Sequence, residues 1–113
     1  MNNSNQRHFE RFRTASAVWA RPLDGPGDFQ LLESVNISAS GLLFDLDQPI
    51  EIDKRLDIRF ELPQHPDLIE ARGIVVRVEH KGGDNYFIAV SFTDVINLNI
   101  STLMAYLEAV YKD

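Results

Sequence analysis

The run Leu56-Asp57-Ile58-Arg59-Phe60-Glu61-Leu62 puts an apolar side chain at every second position with a charge between each pair. Only an extended strand sends such an alternation to two opposite faces, one for a core and one for water. Five further stretches carry strand character: residues 14–21, 28–37, 41–46, 68–80 and 86–92. In the second strand Phe29, Leu31, Val35 and Ile37 share one parity, against Gln30, Ser34, Asn36 and Ser38 on the other. Along residues 68–80, Ile74, Val76 and Val78 are expected inward, Arg77 and Glu79 outward. Trp19 is expected to pack in the interior. Proline and glycine clusters punctuate the chain, and Gly82-Gly83-Asp84-Asn85 reads as a hairpin turn.

The period changes near the end. Ile100, Leu103, Met104, Leu107, Val110 and Tyr111 follow the i, i+3, i+4, i+7 spacing of an amphipathic helix. Asn97 or Asn99 is placed to cap it. Its apolar face has to cover either the open end of the sheet or another chain, and the sheet is the expected choice. Six short strands in antiparallel succession and one terminal helix point to a small barrel or sandwich of the mostly β class.

A chain of 113 residues, 44% hydrophobic and 25% charged, fits one soluble domain. The absence of cysteine rules out disulfides, a thiol nucleophile and zinc–cysteine sites. There is no apolar run of signal-peptide or membrane-span length, so a cytoplasmic location is expected. The formal net charge is −6, the wrong sign for a general polynucleotide binder. Residues 1–23 nevertheless carry Arg7, Arg11, Arg13 and Arg21 against the single acid Glu10. A basic arm on an acidic body calls for an anionic partner.

Catalytic chemistry is not legible. His8, His65 and His80 have no metal-ligand spacing to one another or to acids. Ser38 lacks the glycine-flanked elbow of a hydrolase. Neither a catalytic residue nor a metal or cofactor site is expected, and the chain is read as a binding protein, not an enzyme.

The binding signal lies in two places. Residues 1–6 are small and polar, and the Arg7-His8-Phe9-Glu10-Arg11-Phe12-Arg13 stretch after them has little apolar content, so residues 1–13 are expected to form a flexible arm. Arg7 and Arg11, four apart, share a face in a helix or a strand, so one ligand can meet both. The second place is Asn36-Ile37-Ser38-Ala39-Ser40-Gly41, at the exit of a strand. With Ile37 inward, Asn36 and Ser38 stand together on the outer face, and Gly41 allows φ > 0 or the close approach of a backbone or ligand.

Arg7-x-x-x-Arg11 followed by Asn36-x-Ser38-x-x-Gly41 resembles the PilZ domain family, whose pattern is an Arg-x-x-x-Arg loop and then Asp/Asn-x-Ser-x-x-Gly. The likeness spans nearly the whole chain. It implies a six-stranded antiparallel β-barrel with a C-terminal helix over residues 14–113, preceded by the arm. It also implies that Arg7, Arg11, Asn36, Ser38 and Gly41 bind cyclic di-GMP, a bacterial second messenger with two phosphates and two guanines. Arginine suits both groups, because its planar donor fork matches phosphate oxygens and the O6/N7 edge of guanine. Arg13, Arg72 and Arg77 are candidates for a further contact. Gln6 stands where an arginine is associated in the family with two stacked ligands, so one ligand per chain is expected. The family further implies relay to an effector protein, a possible homodimer, and outputs in motility, exopolysaccharide synthesis or biofilm formation. The alternative is a PilZ-like module that docks a protein without nucleotide, the arm arginines facing acidic groups.

Overall fold

The computed structural model describes residues 12–13, 16–23, 25, 27–63 and 65–111. Within them run β1 (Phe12–Arg13), β2 (Ala17–Pro22), β3 (Gln30–Ser38), β4 (Gly41–Leu46), β5 (Arg55–Phe60), β6 (Ile69–Gly82), β7 (Asn85–Val95) and α1 (Ile100–Tyr111). Strands β3-β2-β5-β6-β7-β4 are hydrogen-bonded in that order, and β4 pairs back onto β3, so six antiparallel strands close a barrel. Closure leaves no open edge along the circuit, which is how a short all-β chain satisfies its backbone groups. The expected barrel and terminal helix are therefore present.

The extra element, β1, is not a seventh stave. Phe12 and Arg13 pair with Ile37 and Asn36, on the edge of β3 whose other half pairs with β2. Between the two segments the register slips by one residue. Phe12 and Arg13, expected in the arm, are thus paired to the barrel. Phe12 is buried in the core and anchors the chain there. Whether residues 1–11 form a flexible arm lies outside the described residues.

The inward side chains form belts around the barrel. Phe12, Ile37, Leu42, Val90 and Val75 are cross-strand neighbours in one belt, and all five are buried. Ser34, Phe44, Ile88 and Val78 form the next. The clearest strand of the sequence behaves as expected, with Leu56, Ile58 and Phe60 buried on β5.

Two parity expectations fail, for one reason. Ser34 pairs with Phe44 and Asn36 with Leu43, leaving Val35 as an extra residue in β3. Val75 pairs with Val90 and Arg77 with Ala89, leaving Val76 as an extra residue in β6. A bulge of one residue exchanges the faces of everything beyond it. Leu31, expected inward, is therefore 61% exposed while Leu32 packs against the core. Val75 rather than Ile74 or Val76 faces the core, and Val76 is 50% exposed. Trp19 likewise lies half-buried on the outer face, opposite Leu31 and Arg59, not in the interior.

The helix starts where Asn99 caps it. Its side-chain oxygen accepts from the amides of Ser101 (2.9 Å) and Thr102 (3.3 Å). Asn97, the other candidate, instead bridges the start of β6: its oxygen accepts from Glu70 N (2.8 Å) and its nitrogen donates to Leu68 O (2.9 Å). Because the strands alternate in direction, the start of β2 and the end of β7 lie at the same end of the barrel. Helix α1 closes that end, with Leu103 and Leu107 buried in one cluster with Ile37, Leu62 and Ile69. The Tyr106 hydroxyl donates to Pro63 O, tying the helix to the loop after β5. Among the described residues no helix is long and apolar enough to cross a membrane.

Replacing Leu103 by Ala removes a fully buried side chain from the plug and should cost about 2–5 kcal/mol. Urea denaturation of the two proteins measures it, and a difference under about 1 kcal/mol would mean that the helix does not close the barrel.

Candidate functional site

The Asn36–Gly41 hexad forms the end of β3, a two-residue turn and the first residue of β4, with Ser38 paired to Gly41. Ser38 does not stand open beside Asn36 as expected. It is fully buried, and its Oγ accepts from Ser40 N (3.2 Å), lies 3.0 Å from Ser40 Oγ and donates to Gly41 O (3.4 Å). A serine hydroxyl that satisfies the backbone of its own turn locks that turn. Asn36, two residues earlier, is half-buried and lies between Arg13 of β1 and Leu43 of β4.

Gly41 has no positive φ, so the turn does not use its conformational freedom. What it uses is the missing side chain. A Cβ at residue 41 would overlap the carbonyl oxygen of Val90 and crowd Ser91 Cα. The approaching backbone belongs to β7, and the close contact lets β4 pair with β3 and β7 together.

From the hexad an outer surface runs across four strands in two rows. One is Ser38, Gly41, Ser91 and Ile74; the other is Asn36, Leu43, Ala89 and Arg77. Ala89 is buried yet falls between Ile88 and Val90, which both face the core, so it belongs to the outer face. The result is a shallow floor of small residues (Gly41, Ala89, Ser91) with Asn36 at one end and Arg77 at the other. The small residues were legible as Ile88-Ala89-Val90-Ser91-Phe92, where large and small side chains alternate, but sequence reasoning used only the large ones.

A scan against protein families matches residues 5–109 to the PilZ domain. The chain belongs to the PilZ domain family. No curated protein matches it. Solved structures do. The Bacillus subtilis inhibitor of motility MotI/DgrA superposes with a TM-score of 0.74 at 18% identity, covering 94% of this chain and 50% of that one. MrkH, a c-di-GMP-dependent transcription regulatory factor, gives 0.70 at 17% identity, over 91% of this chain and 50% of that one. The PilZ domain of YcgR from Escherichia coli, solved with c-di-GMP, gives 0.60 at 11% identity over 93% and 88%. This PilZ chain thus spans about half the length of MotI/DgrA and of MrkH.

Of the five residues that the resemblance nominates in this PilZ domain, the structure brings Asn36, Ser38 and Gly41 together on one hairpin. Arg7 and Arg11 lie outside the described residues. Among the other arginines, Arg13 is the cross-strand partner of Asn36. Arg77 ends the Asn36 row, while Arg72 sits in register between Asp57 and Asp94. Among the described residues no group of histidine and acidic side chains is arranged to hold a metal ion.

Gly41→Ala should destabilise the barrel by roughly 1–3 kcal/mol or more, because backbone rather than a movable side chain occupies the Cβ position. The urea midpoint measures this, and a variant as stable as wild type would show that β4 and β7 need no glycine to meet.

Proposed function

We propose that this PilZ-domain chain is a non-enzymatic receptor for cyclic di-GMP, with Arg7, Arg11, Asn36, Ser38 and Gly41 as its ligand site, and that it relays binding to a partner protein through ordering of the N-terminal arm. The observation that carries this reading is the pairing of Phe12 and Arg13 with Ile37 and Asn36. Successive Cα atoms are about 3.8 Å apart and paired strands place Cα atoms about 5 Å apart. Arg11, one residue before Phe12, therefore has its Cα within about 9 Å of that of Ile37, whatever its conformation. Arg7 is tethered by five residues, at most about 18 Å from Phe12. Connectivity thus allows both guanidinium groups to reach the Asn36–Gly41 hairpin.

Each group then has a role its chemistry supports. Arg7 and Arg11 supply charge-assisted hydrogen bonds to phosphate or guanine, worth roughly 1.5–3 kcal/mol each. Asn36 offers an amide that both donates and accepts. Ser38 holds the turn rigid, so that the ligand meets a preorganised backbone, and Gly41 keeps the floor low. Ordering residues 1–11 opposes binding but makes the bound surface different from the free one, which a partner can read. Three relatives tie the fold to such signalling: YcgR was solved with c-di-GMP, MrkH depends on it, and MotI/DgrA inhibits motility.

The buried Ser38 hydroxyl, committed to its own turn, favours a second reading in which the hexad is a folding element and the arm docks an acidic protein. Titration calorimetry with cyclic di-GMP separates the two. Wild type should bind saturably at one ligand per chain, GMP far more weakly, and Arg11→Ala should lose about one to two decades of affinity. No saturable heat in wild type would move the chain to the docking reading. Hydrogen exchange tests the relay: residues 1–11 should gain protection at saturation, and unchanged protection would remove the ordering step while leaving the receptor intact.

A further inference from the structure

The far end of the Asn36 row carries a feature that the PilZ motif does not include. Arg77 and Glu79 are neighbours on the outer face of β6, with Arg77 Nε 3.8 Å from Glu79 Oε2. Both side chains are more than half exposed, so the pair is loose and open to competition from a ligand. In register with Arg77 lie Ala89, which is buried, and then Leu43, which is half-buried, the apolar residues between Arg77 and Asn36. In the next row Asp45 pairs with Phe87 and Phe87 with Glu79. Asp45 is held by Lys81 at 2.8 Å, and the Lys81 ammonium lies 4.2 Å from the Phe87 ring centre.

This border suits one part of the proposed ligand and not the other. Arg77 and Lys81 are each paired with a carboxylate, Glu79 and Asp45, so the border offers a phosphate no net attraction. A guanine base presents O6 and N7 as adjacent acceptors and its N2 amino group as a donor. An arginine fork beside a carboxylate matches that sequence of acceptors and donors, and the apolar floor accepts the face of the ring. Adenine presents a donor amino group where guanine has O6, so it would set donor against donor at the arginine. From Asn36 to Arg77 there are three interstrand steps, about 14 Å of barrel surface, a span that asks for a ligand with two separated recognition elements.

Resting on the receptor reading above, we propose that Arg77 and Glu79, over the Ala89–Leu43 floor, form a guanine-reading subsite that binds the second base of cyclic di-GMP and sets selectivity against cyclic di-AMP. Arg77 is then a specificity-determining contact contributed by β6, on the opposite side of the floor from the N-terminal arm. Arg72, five residues away and flanked in register by Asp57 and Asp94, has no part in it.

The test is calorimetric titration of wild type, Arg77→Gln, Arg77→Lys and Arg72→Gln with cyclic di-GMP and with cyclic di-AMP. Arg77 is exposed on a solvent face, so its variants should melt as wild type does. Arg77→Gln should weaken cyclic di-GMP binding about tenfold or more and narrow the preference over cyclic di-AMP by a similar factor. Arg77→Lys should lose nearly as much, because an ammonium cannot form the bidentate fork. Arg72→Gln should stay within about twofold of wild type. If wild type binds and Arg77→Gln binds equally well, the subsite is wrong and the receptor reading stands. If Arg77→Lys keeps full affinity, Arg77 acts as a point charge and the guanine assignment is overturned. If wild type binds no cyclic di-GMP, the receptor reading falls and the subsite falls with it.

Discussion

Val90 is clamped between two glycines, and the barrel depends on that fit. Its carbonyl oxygen occupies the place of a side chain on Gly41 of β4, and its methyl group the place of one on Gly73 of β6. Strand β7 therefore approaches both neighbours more closely than ordinary side chains permit, while the Val90 side chain still packs into the core. With β7 held in this way, β4 can pair to β3 on its other edge and the circuit closes. The hexad inherits its position from this closure. Its final glycine is a requirement of packing, and the turn before it is locked by Ser38, so the hairpin reaches any ligand already in shape.

The second constraint is the pair of bulges. Val35 in β3 and Val76 in β6 each insert one residue, and beyond each the inward and outward sets change places. Without the first, Asn36 would face the core and Ile37 the solvent. Without the second, Arg77 would point inward against Ile88 and Val90. The bulges therefore aim Asn36 and Arg77 outward onto the same surface, from strands that enter the barrel with the opposite parity. A bulge beside a site that it re-aims is a recurrent device in sheets, and here there is one at each end of the floor.

Charge is distributed to suit such a surface. The body of the protein is acidic and would repel a dianion at long range, so attraction has to come from a local concentration of arginine. The backbone of Phe12 and Arg13 is fixed beside Ile37 and Asn36. On the outer face away from the hexad, Arg21 pairs with Asp57 at 3.2 Å, and Arg72 stands in register with Asp57 and Asp94.

Strand period, helix period and turn residues were legible in the sequence because each is a local property. Alternation at Leu56–Leu62, the stripe from Ile100 and the glycines at 82 and 83 gave the mostly β fold, the terminal helix and the last hairpin without reference to distant contacts. The family motif was legible for the same reason, as a short pattern in fixed order. What tertiary structure alone decided is which face each residue occupies and what its neighbours are. Bulges are settled by the strand across the way, so the runs Ile74-Val75-Val76 and Leu31-Leu32 carry no local sign of where parity turns over. Ser38 reads as an open hydroxyl until its hairpin folds around it. Phe12 reads as part of an arm until a core exists to take it, and with Phe12 buried the base of the arm comes to rest beside Asn36, because burial is a property of the assembled barrel and not of the segment.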